Sequence, residues 1–275
     1  MQIHTHLALS AALLSAFTAA WSPAQVTSTF KRSFSSHSNC LYAVVAPELE
    51  SYDGTKGINE SMINKAADFM MGSFWGVDGG NPSLQSEQAA DLTTRFGEIM
   101  GKRKLFSNLI VGRVENEIAG IIGVEVALFD LKQMDIMNYK QSEKTLKDAI
   151  ASLGPKERRQ YKDASIEELI AELPSLTGKY EAVAVLANLC VSPAARGSGL
   201  GLQLCSQVEE IVKEWGVKEI MLKVEGDNEP AKRLYEKIGY VEKYVVEDSI
   251  TLRPDLENST FKEVACTMLT LSKAV

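Results

Sequence analysis

The stretch from Tyr180 to Trp215 constrains this chain most. An apolar run, Tyr180 to Val191 (YEAVAVLANLCV), leads into Ser192-Pro193-Ala194-Ala195-Arg196-Gly197-Ser198-Gly199-Leu200-Gly201. A segment with Leu204, Val208, Ile211, Val212 and Trp215 at helical spacing follows, and Gly216 stops it. The unit predicts a strand, a glycine-rich turn and a helix over Gly199 to Trp215. Alternating glycines let backbone N–H groups face one point, and a helix N-terminus adds about half a positive charge, so the turn suits a pyrophosphate. Two familiar phosphate loops are excluded. The pattern G-x-x-x-x-G-K-[ST] occurs nowhere, and the spacing is G-x-G-x-G rather than G-x-G-x-x-G. Glu225 could pass for the ribose-binding acid of a dinucleotide fold, but only 74 of the 275 residues follow Gly201, too few for a doubly wound sheet.

The rest of the chain supplies more strands and helices. Leu41 to Val45 reads as a first strand closed by Pro47, and the segment after it reads as helical. Asn59 can cap a helix carrying Met62, Ile63, Ala66, Phe69 and Met70, ended by Gly72; Ser86 to Met100 reads as a second helix ended by Gly101. Leu109 to Val114 and Ile118 to Leu128 have hairpin spacing. Residues 130–179 are charged and helix-forming, without a strand pattern, and read as an insertion. After the glycine turn come a strand (Glu219 to Val224), a short helix (Pro230 to Ile238) capped by Asn228, and a final pair of strands, Tyr244 to Leu252 and Phe261 to Leu271. The expected fold is mixed α/β: a sheet of about six to seven strands flanked by helices, in the order β-α-α-β-β-(helical insertion)-β-α-β-α-β-β.

Charge and residue inventory narrow the chemistry. His4, His6 and His37 are the only histidines, and no acidic residue precedes Glu48. An apolar run from Leu7 to Ala20 followed by the basic, Ser/Thr-rich SPAQVTSTFKRSFSSHS reads as two stacked targeting signals over residues 1–38. With Ser15-Ala16-Phe17 at the junction, the leader resembles the bipartite presequences of algae with complex plastids. That resemblance implies plastid import; a secretory signal and a mitochondrial presequence are the competing readings. The working domain is then residues 39–275, which contain no histidine. Ser-His-Asp triads, Cys-His pairs and histidine metal sites are excluded by inventory. Cys40, Cys190, Cys205 and Cys266 lack C-x-x-C spacing and read as reduced, mostly buried thiols. A net charge of −7 argues against a nucleic-acid partner, and no other run is long enough to predict a membrane span.

A second motif joins the glycine turn: Asn228-Glu229-Pro230-Ala231-Lys232-Arg233-Leu234-Tyr235-Glu236-Lys237-Ile238-Gly239-Tyr240. Together they resemble the GNAT acetyltransferases, whose acyl-CoA signature [RQ]-x-x-G-x-[GA] is matched by Arg196, Gly199 and Gly201. The later family motif N-x-x-A-x-x-L-Y-x-x-x-G-[FY] is matched from Asn228 to Tyr240. The resemblance is specific from Ala187 to Tyr240 and architectural before that.

The resemblance implies acetyl-CoA as co-substrate, with no metal. It implies that the backbone of Leu189, Cys190 and Val191 runs beside the pantetheine arm where the strand splays, without Cys190 acting as nucleophile. Arg196, Gly197, Ser198, Gly199, Leu200 and Gly201 would hold the pyrophosphate, and Asn228 would meet the pantetheine or adenosine arm. Tyr235 would face the sulfur and return a proton to the leaving thiolate, a role a phenol with a pKa of about 10 can fill. The Val191 N–H would hold the oxyanion. Where some protein N-terminal acetylating members carry a Glu twelve positions before the Tyr, this chain has Lys223. Glu125, Glu181 and Glu225 are then the candidate bases. The implied activity is N-acetylation of protein amines, at lysine side chains or N-termini. Acetylation of a small amine (arylalkylamine, polyamine or aminoglycoside) and a non-catalytic acyl-CoA-binding module are the alternatives.

Overall fold

The computed structural model describes residues 46–77, 81–98 and 105–275. Its centre is β3 (Glu117–Asp130), buried along nearly its whole length, as a strand covered on both faces must be. A two-residue turn in which Glu115 and Asn116 both take positive φ (52° and 67°) joins it to β2 (Ser107–Val114). On its other side lies β5 (Tyr180–Val191), with the bounds expected from its apolar run. Around these strands stand β1 (Glu48–Asp53), the two-residue β4 (Asp135–Ile136), β6 (Glu219–Glu225), β7 (Val241–Asp255) and β8 (Thr260–Ala274). The main path runs β1-β2-β3-β5-β6-β8-β7, seven strands, with β4 as an eighth paired to β3. Every pairing is antiparallel except β5 with β6.

Helices cover both faces. On one face lie α1 (Glu60–Trp75) and α2 (Pro82–Phe96), which bury Met62, Ile63, Ala66, Met70, Leu92 and Phe96 against Leu109, Val111 and Ile121. The other face carries α3 (Tyr139–Ala151), α4 (Pro155–Gln160), α5 (Ile166–Glu172), α6 (Leu200–Trp215) and α7 (Glu229–Lys237). Leu146, Leu169, Leu204, Val208 and Tyr235 from this side share one core cluster with Val126, Leu186 and Leu222 of the sheet. The expected insertion therefore helps to build the main core. Gly120 lets α6 settle close to the sheet, because a Cβ there would stand 3.0 Å from both Leu200 and Leu204.

Several expected boundaries move. The expected strand at Leu41 to Val45 lies outside the described residues, as does the leader over 1–38. The segment after Pro47 is β1 rather than helix; its polar ELESYD is only half buried because it pairs along one edge, with β2. Helix α1 runs through Gly72 and ends at Gly76, where φ is 67°. Helix α2 starts at Pro82 behind the cap Asn81 and ends at Gly97, not Gly101. Within 130–179 the chain does form one short strand, β4. β7 continues past Leu252 through Pro254, which an edge strand tolerates because its missing N–H costs no ladder bond.

Candidate active site

Strands β5 and β6 are parallel partners only at Ala184 with Ile220 and Val185 with Met221. Beyond that point they part, while the other edge of β5 stays bonded to β3 through Cys190 and Val191. The divergence frees one side of the β5 backbone over Leu186–Val191. A cavity of about 480 Å³ opens there. Its walls include Leu189, Cys190, Val191, Arg196, Gly197, Gly199, Leu200, Gly201, Asn228 and Tyr235. The sequence-derived residues thus converge on one space; Ser198 alone is absent from its lining, and its Oγ instead donates to the Ala195 carbonyl at 2.7 Å.

The turn has the backbone of an anion cradle. Gly197 and Gly199 take positive φ (79° and 89°), a region where side chains are strained. The first intrahelical bond of α6 runs from Gln203 N to Gly199 O, which leaves the N–H groups of Leu200, Gly201 and Leu202 outside the helical ladder, with Leu200 N donating a long bond (3.4 Å) to Ser198 Oγ. Arg196 and Lys237 are the charged side chains lining the cavity, and among the described residues that line it there is no carboxylate. Such a lining suits a polyanion. Gly201 differs from its neighbours: it lies within α6, and a Cβ there would meet Leu234 at 3.6 Å and Val191 at 3.9 Å, ordinary contact distances. Its lack of a side chain keeps the cavity wall open; no unusual backbone requires it.

Tyr235 comes from α7 and is fully buried, in edge-to-face contact with Tyr240 at 5.6 Å. Among the described residues none hydrogen-bonds its hydroxyl, which lies on a residue of the cavity wall. Burial holds this phenol well above its ordinary range, with Cys205 and Tyr240 adding to the effect. The proton therefore stays on oxygen at neutral pH. Burial likewise raises the Cys190 thiol, so it is neutral and unsuited to nucleophilic attack, and pushes Cys205 up to about 12. Cys190, Cys205 and Cys266 are all free thiols. Asn228 is buried and its Oδ1 caps α7 by accepting from Ala231 N at 3.2 Å, so its oxygen serves the helix as well as the wall.

Burial also raises Tyr240, which with Tyr235 makes two buried phenols. Unfolded phenols titrate near pH 10. Below that value both states are protonated and these groups impose no pH dependence. Above it the unfolded chain loses protons that the folded chain retains, so stability falls by up to about 1.4 kcal/mol per pH unit for each buried phenol. Denaturant midpoints should be flat from pH 8 to about 9.5 and drop steeply beyond about 10. A flat profile to pH 11.5 would contradict the burial of Tyr235 and Tyr240.

The candidate bases separate. Glu181 pairs with Phe129 at the far end of β5, some ten residues or roughly 33 Å from Val191, and drops out. Glu125 is buried beside Arg95, which also pairs with Asp91. Glu225, at the end of β6, accepts from Thr251 Oγ1 (2.7 Å) and from Arg253 Nη1 (2.9 Å) and Nη2 (2.5 Å), so its oxygens are engaged by a two-pronged guanidinium and a hydroxyl, and it does not line the cavity. Lys223 forms an ion pair with Asp135 at 2.8 Å, and Tyr244 donates to the same oxygen at 3.0 Å.

Ser73 and Phe74, at the end of α1, line the cavity without any sequence signal. Arg196 Nη2 donates to the Ser73 carbonyl at 3.3 Å, tying α1 to the glycine turn over a separation of 123 residues. Only tertiary packing reveals such a contact.

Residues 163–240, which span the turn, α6 and α7, match the acetyltransferase (GNAT) family. GCN5-related N-acetyltransferase 7, chloroplastic, of Arabidopsis thaliana is 34% identical over 74 residues, covering 27% of this chain and 27% of that protein. The chain thus matches about a quarter of that relative's length. Similar solved structures include a GNAT-family acetyltransferase from Streptococcus pneumoniae (13% identity, TM-score 0.45, 83% of this chain and 100% of that one). Another is the ribosomal-protein-S18-alanine N-acetyltransferase from Escherichia coli (11% identity, TM-score 0.43, 83% and 94%). The matched stretch includes the cavity-wall residues from Leu189 to Leu202 together with Asn228 and Tyr235, so it is this part of the chain that is similar to the acetyltransferase (GNAT) family.

Proposed function

We propose that this protein transfers acetyl groups from acetyl-CoA to amines of proteins, at lysine side chains or N-termini, inside a plastid. The carrying observation is the coincidence, in one cavity, of the glycine turn, the freed edge of β5 and a buried, protonated Tyr235. The residues fit the co-substrate: two positive-φ glycines, three amides outside the α6 ladder and two cationic side chains suit a diphosphate. Acetyl-CoA supplies an activated acyl group as a thioester.

The chain's own groups do the rest. Leu200–Leu202 amides and Arg196 hold the phosphates, and the open edge of β5 aligns the arm, so orientation accounts for much of the rate. The Val191 N–H holds negative charge developing on the carbonyl oxygen. Tyr235 Oη delivers the proton that the departing sulfur needs. Among the described residues that line the cavity there is no carboxylate, and loss of the amine's proton to solvent is the route proposed here.

The test is mass spectrometry of products after incubating the protein with acetyl-CoA and pools of peptides and small amines. Acetylated peptides are expected. Acetylation confined to small amines would replace the acceptor class, and no product from either pool would support a binding module instead. The plastid reading rests on residues 1–38 and on the chloroplastic name of the Arabidopsis relative. A fluorescent protein fused to residues 1–38 should enter the plastid, and replacing Phe17 should divert it; delivery to the secretory pathway or mitochondria would reject this.

A further inference from the structure

Proton supply sets a limit on Tyr235. Burial holds its hydroxyl well above the ordinary phenol value, whereas an aliphatic thiol titrates near pH 8.5, to the order of a unit. To protonate a departing thiolate and leave a bare phenolate behind is therefore strongly uphill. The transfer becomes favourable only if a second proton reaches Tyr235 as the first one leaves.

The core behind Tyr235 holds a column of ionisable groups. Tyr240 meets Tyr235 edge to face with ring centroids 5.6 Å apart, and its N–H donates to the Tyr235 carbonyl at 3.0 Å. Both hydroxyls are buried, and among the described residues neither has a hydrogen-bond partner. Lys273 Nζ stands 5.9 Å from the Tyr240 ring centre and donates to Glu209 Oε1 at 2.6 Å. The Lys273 and Glu209 side chains are 23% and 18% exposed, so this pair meets solvent. Cys205 and Glu209 are four apart on α6 and share a face; Cys205 is buried in one cluster with both tyrosines. Its thiol, pushed up to about 12, is a poorer acid than the lysine ammonium, which titrates near 10.4, to the order of a unit. Only Tyr235 of this column lines the cavity, so the column joins the cavity wall to the surface through the core.

We propose that Lys273 and Tyr240 form a proton-return path that refills Tyr235 from the surface during acetyl transfer. The proposal rests on the acetyltransferase reading above. As the carbon–sulfur bond breaks, its electron pair stays on sulfur, which takes the Tyr235 proton. Tyr235 Oη takes the proton of Tyr240, Tyr240 Oη takes one from the Lys273 ammonium, and solvent reprotonates the neutral Lys273. Internal water, of the kind that buried unpaired hydroxyls hold, spans the gaps. A hydroxyl suits each step because it accepts one proton while donating another. The sulfur's proton thus comes from solvent, and the amine's protons go to solvent. Lys273 and Tyr240 act through Tyr235 and touch no substrate; Glu209 holds Lys273 in place.

Release of free thiol from acetyl-CoA, with pooled peptides and small amines as acceptors, reads the step in mixtures of water and deuterium oxide. The wild-type rate should fall along a bowl-shaped curve with deuterium content, the sign of several protons moving together. Tyr240→Phe keeps the ring without its proton, and Lys273→Arg keeps a cation beside Glu209 that does not release one. Each should lower turnover about tenfold, leave the KM for acetyl-CoA and the melting temperature unchanged, and straighten the curve. Added to Tyr235→Phe, neither should lower turnover further, because the path ends at that hydroxyl. Turnover kept within twofold in both variants, a straight wild-type curve, or losses that add to that of Tyr235→Phe overturn the path. So does a lowered melting temperature that accounts for the loss, which would mark packing. Bound acetyl-CoA without thiol release overturns it as well, whereas absence of acetyl-CoA binding rejects the acetyltransferase reading instead.

Discussion

Tyr235→Phe is expected to lower kcat by about 10² to 10⁴ while leaving the affinity for acetyl-CoA nearly unchanged. The substitution keeps a ring that is fully buried against Tyr240 and removes only a hydroxyl that none of the described residues bonds. Stability should hold or rise slightly, because an unsatisfied buried polar group disappears. That combination separates chemistry from packing: a structural tyrosine would lose stability, whereas a proton donor loses turnover. Steady-state kinetics beside thermal melts decide it. A kcat within two- or threefold of wild type would mean that water delivers the proton.

Gly199→Val is expected to abolish measurable acetyl-CoA binding in calorimetry while the circular dichroism spectrum persists. At φ 89° a β-branched residue is strongly disfavoured, so the turn must change its path and its amides lose their common focus. Open space surrounds the Cβ position, so the loss would come from the backbone and not from a clash in the core. Gly201→Val makes the contrast. Its position is helical and its Cβ contacts are ordinary, so binding should weaken only as far as the larger side chain narrows the cavity.

The strand-turn-helix unit was legible because its signals are local. Pro193 follows an apolar run that matches β5 to the residue, and Gly216 stops α6 by adopting the left-handed conformation. Tyr235 and Asn228 were legible as members of one short motif. What was hidden depends on distant partners. Nothing in ELESYD marks an edge strand, because only its pairing with β2 makes it one. Glu225 looks like a free acid in sequence, and it is gripped by Arg253, 28 residues on. Ser73 and Phe74 carry no pattern that assigns them to a cavity 115 residues away; the bond from Arg196 to the Ser73 carbonyl does. Glycines mislead in the same way. Gly72 passes through a helix interior at modest cost and Gly76 ends it, a choice made by the packing of α1 on the sheet.

Amide hydrogen exchange, with and without saturating acetyl-CoA, tests the central assignment most directly. Protection on binding should appear at Leu189–Val191, through Arg196–Leu202, and at the end of α1 around Ser73 and Phe74, the segments that wall the cavity. The far side of the sheet, including β1 and the start of β5 at Tyr180, should exchange as before. Protection confined to any other part of the fold, or none at saturating acetyl-CoA, would contradict the placement of the acyl donor between β5 and β6.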